Sequence, residues 1–234
     1  MIKEDRPILI ISDIQIPFEN EKALAFCKYL RNHYKIPDEN ILNVGDETDN
    51  YHGGQWPKNP DGTLSAHGEL AITREKIKEW GAAFPEMKLC ISNHGLRWVR
   101  KAAAAEIPSQ MLQAYEKIFN MPDRWKWQYE WRFETLKHPF RMIHGMGYSG
   151  NLGHRNAAMD SKMSTAIGHL HSHAGVNYIQ NNGMKNYIWG MNVGCLIDTT
   201  QYAFEYDKQN RVQPMLGCGV VFNQGSMAVW IPLT

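Results

Sequence analysis

The sequence has no apolar run near the roughly 20 residues that a membrane-spanning helix requires, which excludes a spanning segment. It has no excess of either charge. Lys and Arg number 25 against 24 Asp and Glu, for a net charge of +1. That balance excludes a protein that holds nucleic acid by bulk charge, while leaving room for a local basic groove. Cysteine is scarce. Cys27, Cys90, Cys195 and Cys218 are far apart and form no Cys-x-x-Cys pair, as expected of reduced core residues in a cytoplasmic protein. Residues 1–7 carry acids and lead into a strand, unlike a signal peptide. No internal repeat, low-complexity segment or linker divides the 234 residues. One domain over 1–234 is therefore expected, long enough to bury a sizeable core.

What the chain does have is eight Trp, ten His and a regular alternation of apolar runs. Residues 7–12 form a short continuous apolar run, the mark of a strand covered on both faces. A helix over 19–34 and a second run over 41–44 follow, which implies a parallel pair with a crossover. Residues 50–63, with Trp56 among them, have the Gly, Pro and Asn content of a loop. The pattern then predicts a helix over 69–84, a strand over 87–92, and helices over 97–106 and 109–119. From Arg124 to Phe133 the period becomes two, predicting one half-buried strand with an aromatic face. Strands are expected at 140–143, 165–168, 187–192, 217–222 and 227–231, with a polar loop and one helical turn over 147–161. The strand–helix alternation of the first half sets the class as α/β.

Five of these runs end in residues able to bind a cation: Asp13 with Gln15, Asp46, Asn93 with His94, His144, and His169 with His171. Taken singly, each has an ordinary explanation, since an Asp after a strand often caps a helix and a lone His often sits satisfied in a core. Their joint occurrence at strand ends, where α/β folds bind ligands, points to one site. Asp46 is central to it, because the two oxygens of one carboxylate can each take a cation.

The order of these motifs resembles the calcineurin-like metallophosphoesterase superfamily. The matching stretches are Asp13-Ile14-Gln15, Gly45-Asp46-Glu47-Thr48-Asp49, Ser92-Asn93-His94-Gly95, His144-Gly145 and Gly168-His169-Leu170-His171. The resemblance is to small, phage-type members and runs from about Ile8 to the end of the chain. It implies a four-layer α/β/β/α sandwich of two mixed sheets. It also implies two divalent metal ions, one held by Asp13, Gln15, Asp46 and His171, the other by Asp46, Asn93, His144 and His169. Carboxylate, amide and imidazole donors suit Mn, with Fe, Zn, Ni or Mg as alternatives. The implied chemistry is hydrolysis of a phosphate ester by a hydroxide that the two metals activate, with no covalent intermediate. His94 follows a ligand and is expected to face substrate, as general acid or as donor to the leaving oxygen. Asp49 either supports His94 or a ligand from behind, or caps a turn.

Two positions depart from the family pattern: Gln15 stands where it has His, and Gly95 where it has Asp or Glu. Gln offers a weaker donor than imidazole, so the Asp13 site is expected to bind less tightly or to favour Mn or Mg. Arg97 and Arg100 either reach a substrate phosphate or are surface charge on a helix. The expected substrate is a phosphodiester in nucleic acid or a nucleotide, with a phosphomonoester, phosphoprotein included, as the alternative. No membrane partner is expected. A binding module that kept the fold and lost its chemistry is the competing class, with Gln15 as its support.

Overall fold

The computed structural model describes residues 2–55, 57–60, 62–180, 183, 185–201, 203 and 212–234. Trp56, assigned above to a loop, lies outside the described residues. Strand β1 (Ile8–Ile11) is buried along its length, because it has a core on each face. Leu9 and Ile11 pack toward helices α1 (Ala23–His33) and α2 (Ala66–Ala83), against Cys27, Leu30, Ile77, Trp80 and Phe84. Ile8 and Ile10 point the other way. There they meet Leu42 of β2 (Ile41–Asn43) and Cys90 of β3 (Glu86–Cys90), and across the gap Phe133, Phe140 and Trp189. This period-two division of apolar residues between two cores is what makes the strands near-continuous hydrophobic runs.

After β3 the chain forms α3 (Arg97–Ala104) and α4 (Tyr115–Ile118), then β4 (Arg124–Gln128), β5 (Glu130–Phe133) and β6 (Phe140–Ile143). Helix α5 (Gly153–Ser161), β7 (Ser164–Ile167), β8 (Gly175–Ile179), β9 (Ile188–Asn192), β10 (Gly217–Phe222) and β11 (Met227–Pro232) complete it. The first sheet has the order β11-β10-β1-β2-β3-β4 and the second β5-β6-β7-β9-β8. Both mix parallel and antiparallel pairs. The expected α/β/β/α sandwich of two mixed sheets is therefore what forms, with α1 and α2 outside one sheet and α5 against β7 and β9 of the other. No described helix is long and apolar enough to cross a membrane.

Three expectations need correction. The aromatic stretch at 124–133 is two strands in different sheets, broken at Tyr129, which is exposed. Trp125 and Trp127 pack under the helices, whereas Trp131 and Phe133 join the core between the sheets. All three indoles also donate to protein acceptors, Trp125 to the Phe84 carbonyl, Trp127 to Glu47 and Trp131 to the Leu89 carbonyl. The loop expected at 147–161 contains the two-turn helix α5, which lays the small residues Ala157 and Ala158 on the second sheet. The helix expected at 109–119 is a 3₁₀ turn at Ser109–Met111 and the single turn of α4. The edge strand β8 had no expectation attached to it.

Candidate metal centre

The candidate ligands meet at the C-terminal ends of β1, β2, β3, β6 and β7. To turn there, the backbone adopts left-handed angles at four of them: Asp13 (φ 43°), Gln15 (φ 52°), Asp46 (φ 53°) and His169 (φ 67°). Such angles cost non-glycine residues roughly 1–3 kcal/mol each and collect at functional sites. Gly45 (φ 113°) precedes Asp46, and a Cβ on it would lie 2.8 Å from His144 Nδ1. Gly168 has no room for a side chain either, because a Cβ would collide with Ser12 Oγ and Asp13 Oδ2.

Two groups of donors result. In the first, His171 Nε2 lies 3.1 Å from Asp13 Oδ1, and Gln15 Nε2 donates to His171 Nε2 at 3.2 Å. Among the described residues the buried Gln15 Oε1 has no hydrogen-bond partner. An orphaned acceptor beside a carboxylate and an imidazole fits a cation site. In the second, Asp46, His144 and His169 place one ligand atom each within 4.8 Å of one another. Asn93 Oδ1 is 2.6 Å from His144 Nε2 and completes this group. His144 Nδ1 donates to the Val44 carbonyl at 2.9 Å, which turns Nε2 toward the centre. The groups adjoin, since the His169 amide donates to Asp13 Oδ2 at 3.0 Å.

The electrostatics of the candidate ligands show what a cation would replace. Asp46 is buried, and burial works to raise its pKa, but the facing His144 and His94 hold it well below the carboxylate range. Burial likewise works to lower His144, yet Asp46, 3.3 Å away, raises it to about 9. A proton on His144 Nε2 thus stands where a cation would sit. The raised pKa implies stability that is complete below pH 6.5 and is lost as pH rises through 9. Metal-stripped protein is expected to be about 2 kcal/mol less stable to urea at pH 8.5 than at pH 7. Asp49, raised to about 7, adds a small loss of the same sign, and the lowered His94 and His169 act only below this window. Equal stability at the two pH values would show that the Asp46–His144 pair is not formed.

Behind the ligands lies a second constellation. His94 is 5% exposed and its backbone N–H donates to Asp46 Oδ1 at 3.0 Å. Burial lowers its pKa to about 3, so the ring is neutral. Its Nε2 faces Arg97 Nη2 at 2.8 Å and Asp46 Oδ2 at 3.7 Å, while Nδ1 is 3.6 Å from Asp49 Oδ2. Asp49 is buried too, which pushes it up to about 7 against the pull of Arg97. Arg97 is not surface charge: its Nη1 donates to both the carbonyl and Oδ1 of Asp49, each at 2.8 Å. Arg100 is exposed and bonds the Asn93 carbonyl, so it steadies the loop that carries a ligand.

Sequence reading missed the residues that hold these loops. Asn192 donates to the carbonyls of Leu170 and His173 and so pins the turn between His169 and His171. Asn50, left-handed at φ 56°, donates to the His94 carbonyl at 3.0 Å. Each is an Asn at the end of a strand or motif, a signal too common to stand out. A further buried histidine, His154, lies in α5 and bonds Asn177 instead of lining the site.

No protein-family model and no curated protein matches the chain. Solved structures do. Vacuolar Protein Sorting 29 from Cryptosporidium parvum is 12% identical and aligns over 98% of this chain and 92% of its own, with a TM-score of 0.50. Yfce, a phosphoesterase from E. coli, is 11% identical and aligns over 93% of this chain and 88% of its own, with a TM-score of 0.42. At such identity the likeness to Vacuolar Protein Sorting 29 concerns the fold alone.

Proposed function

We propose that the chain is a metal-dependent phosphoesterase acting on phosphodiesters, in nucleic acid or nucleotides. The observation that carries this reading is the convergence of seven donors from five strand ends into two adjoining groups, bordered by a buried, neutral His94. Asp13, Gln15 and His171 would hold one divalent cation and Asn93, His144 and His169 the other, with Asp46 shared. Manganese is the first choice for this mixed oxygen and nitrogen set. Bound cations supply Lewis acidity, polarising the phosphoryl oxygens and lowering the pKa of water. The chain's own groups do the rest. Val44, through its carbonyl, orients His144, and Asn192 keeps the His169–His171 turn closed. His94 can donate to the leaving oxygen as its Nε2–H tautomer once Arg97 Nη2 turns from the ring toward the phosphate. Arg97 Nη1 meanwhile stays on Asp49.

That tether supports a diester over a monoester. A dianionic phosphate calls for a free guanidinium fork. Arg97 commits Nη1 to Asp49 and so can turn only its Nη2 edge to the site, enough for a monoanionic diester. With added Mn, bis-p-nitrophenyl phosphate is expected to turn over at least about tenfold faster than p-nitrophenyl phosphate, a difference of roughly 1.4 kcal/mol. Faster monoester turnover would overturn the substrate class, and turnover of neither would leave a binding module.

Gln15 bears on the first ion. Gln15→His is expected to tighten that site at least about tenfold, read by titrating metal-stripped protein with Mn or Zn. An unchanged affinity would show that Gln15 is not a ligand.

A further inference from the structure

Parallel strands β6, β7 and β9 carry the candidate metal centre at their C-terminal ends. Roughly 13 Å away along β6, at the N-terminal ends of the same strands, lies a cavity of about 660 Å³. Three lysines line it, each from a different segment: Lys137 before β6, Lys162 after α5 and Lys185 before β9. His138, Ser164 and Tyr187 stand among them, and among the described residues no carboxylate lines the cavity. Among the described residues none of the three ammonium groups makes a hydrogen bond or ion pair. Some cations elsewhere are held by acids, as in Lys76–Glu19, Lys88–Glu86, Arg124–Glu86 and Arg141–Glu130, so what sets these three apart is that they gather around one hollow. In a chain of nearly balanced charge, three unpaired lysines around one hollow are a local excess without a structural use.

The hollow also has an aromatic wall. The Tyr187 and His138 rings stack at 5.8 Å and 22°, Tyr178 meets Tyr187 edge-on at 5.7 Å, and Tyr187 is 37% exposed. Cations along a groove beside exposed ring faces are the arrangement that holds single-stranded nucleic acid, with lysines on phosphates and rings on bases. An anionic membrane fits less well, because its headgroups offer no bases to stack on the Tyr187 and His138 rings.

We propose that this cavity is an exosite for single-stranded nucleic acid. As a means of delivering a strand to the metal centre it rests on the diester reading above, but its existence is tested apart from it. The probe is a labelled oligodeoxythymidine of about 12 nucleotides, followed by anisotropy across a salt series. Joint Lys137→Glu, Lys162→Glu and Lys185→Glu replacement is expected to weaken binding at least about thirtyfold and to flatten the salt slope by about 2, the share of three phosphates. The corresponding Lys→Gln protein guards against misfolding by charge reversal and should lose at least about tenfold. Tyr187→Ala should cost about fivefold or more through lost stacking. All three proteins should hydrolyse bis-p-nitrophenyl phosphate like wild type, since that small diester needs only the metal centre. Unchanged oligonucleotide affinity in both lysine variants would overturn the exosite. So would binding to phosphatidylserine vesicles without binding to the oligonucleotide. If wild type binds the strand but hydrolyses no diester, the exosite stands and the catalytic reading falls.

Discussion

Asp46→Asn is expected to lower kcat/KM for bis-p-nitrophenyl phosphate by at least about 10³-fold, or roughly 4 kcal/mol of transition-state stabilisation. Metal content after gel filtration should fall with it. Asn keeps the shape of the side chain, which matters at a left-handed position next to Gly45. What it removes is the charge and one acceptor. Asp46 is 1% exposed, with one oxygen on the His94 amide and the other facing His144. If the amide oxygen keeps the His94 contact, the NH₂ group points at the metal-facing nitrogen of His144, and both cations lose their shared anion. The same substitution removes the partner that raises His144 to about 9. The stability lost by metal-stripped wild type between pH 7 and 8.5 should therefore shrink in the variant to the small share of Asp49. Metal analysis, steady-state kinetics and urea unfolding at the two pH values check the three parts. A variant that keeps its metal and more than about a tenth of its activity, under 1.4 kcal/mol of loss, would remove Asp46 from the centre of the site.

The fold class and the residues gathered at the candidate site were legible in the sequence for one physical reason. Strands buried on both faces are written as unbroken apolar runs, and a polar residue that ends one is conspicuous. Asp13, Asp46, Asn93, His144 and His169 could be found that way, and the structure gathers them. The helical layer of the second sheet was harder to see. Helix α5 makes contact through Gly153, Ala157 and Ala158, and small residues give weak periodicity. The break at Tyr129 was invisible because alternation continues across it while the chain passes from one core to the other. The pairing of Arg97 with Asp49 joins residues 48 positions apart, and a sequence offers no hint of which distant acid an arginine will choose. Glu47 is similar. It is buried by Trp127 and Tyr115, its pKa is raised by that burial, and nothing in Gly-Asp-Glu-Thr-Asp marks it as different from an exposed acid.

His94→Ala is expected to behave differently from Asp46→Asn. kcat should fall by about 10²- to 10⁴-fold, while metal content and KM stay near wild type. The imidazole belongs to neither ligand group, and the contact it makes with Asp46 through its backbone N–H survives truncation. What is lost is a donor at the leaving oxygen, and its worth depends on the leaving group. p-Nitrophenolate departs with little protonation, whereas the alkoxide released from a dinucleotide is strongly basic. The deficit of His94→Ala should therefore be larger for a dinucleotide than for bis-p-nitrophenyl phosphate. A structural defect would depress both equally, as would a change in metal affinity, so the ratio of the two deficits isolates hydrogen-bond donation to the leaving oxygen. Arg97→Ala supplies the counterpart. It frees His94 Nε2 but leaves the buried Asp49 without its cation, so a dinucleotide should lose affinity as well as rate. Equal losses of His94→Ala on both substrates would assign the imidazole to holding the loop at Asn93 in place and leave the leaving oxygen to the metals or to Arg97.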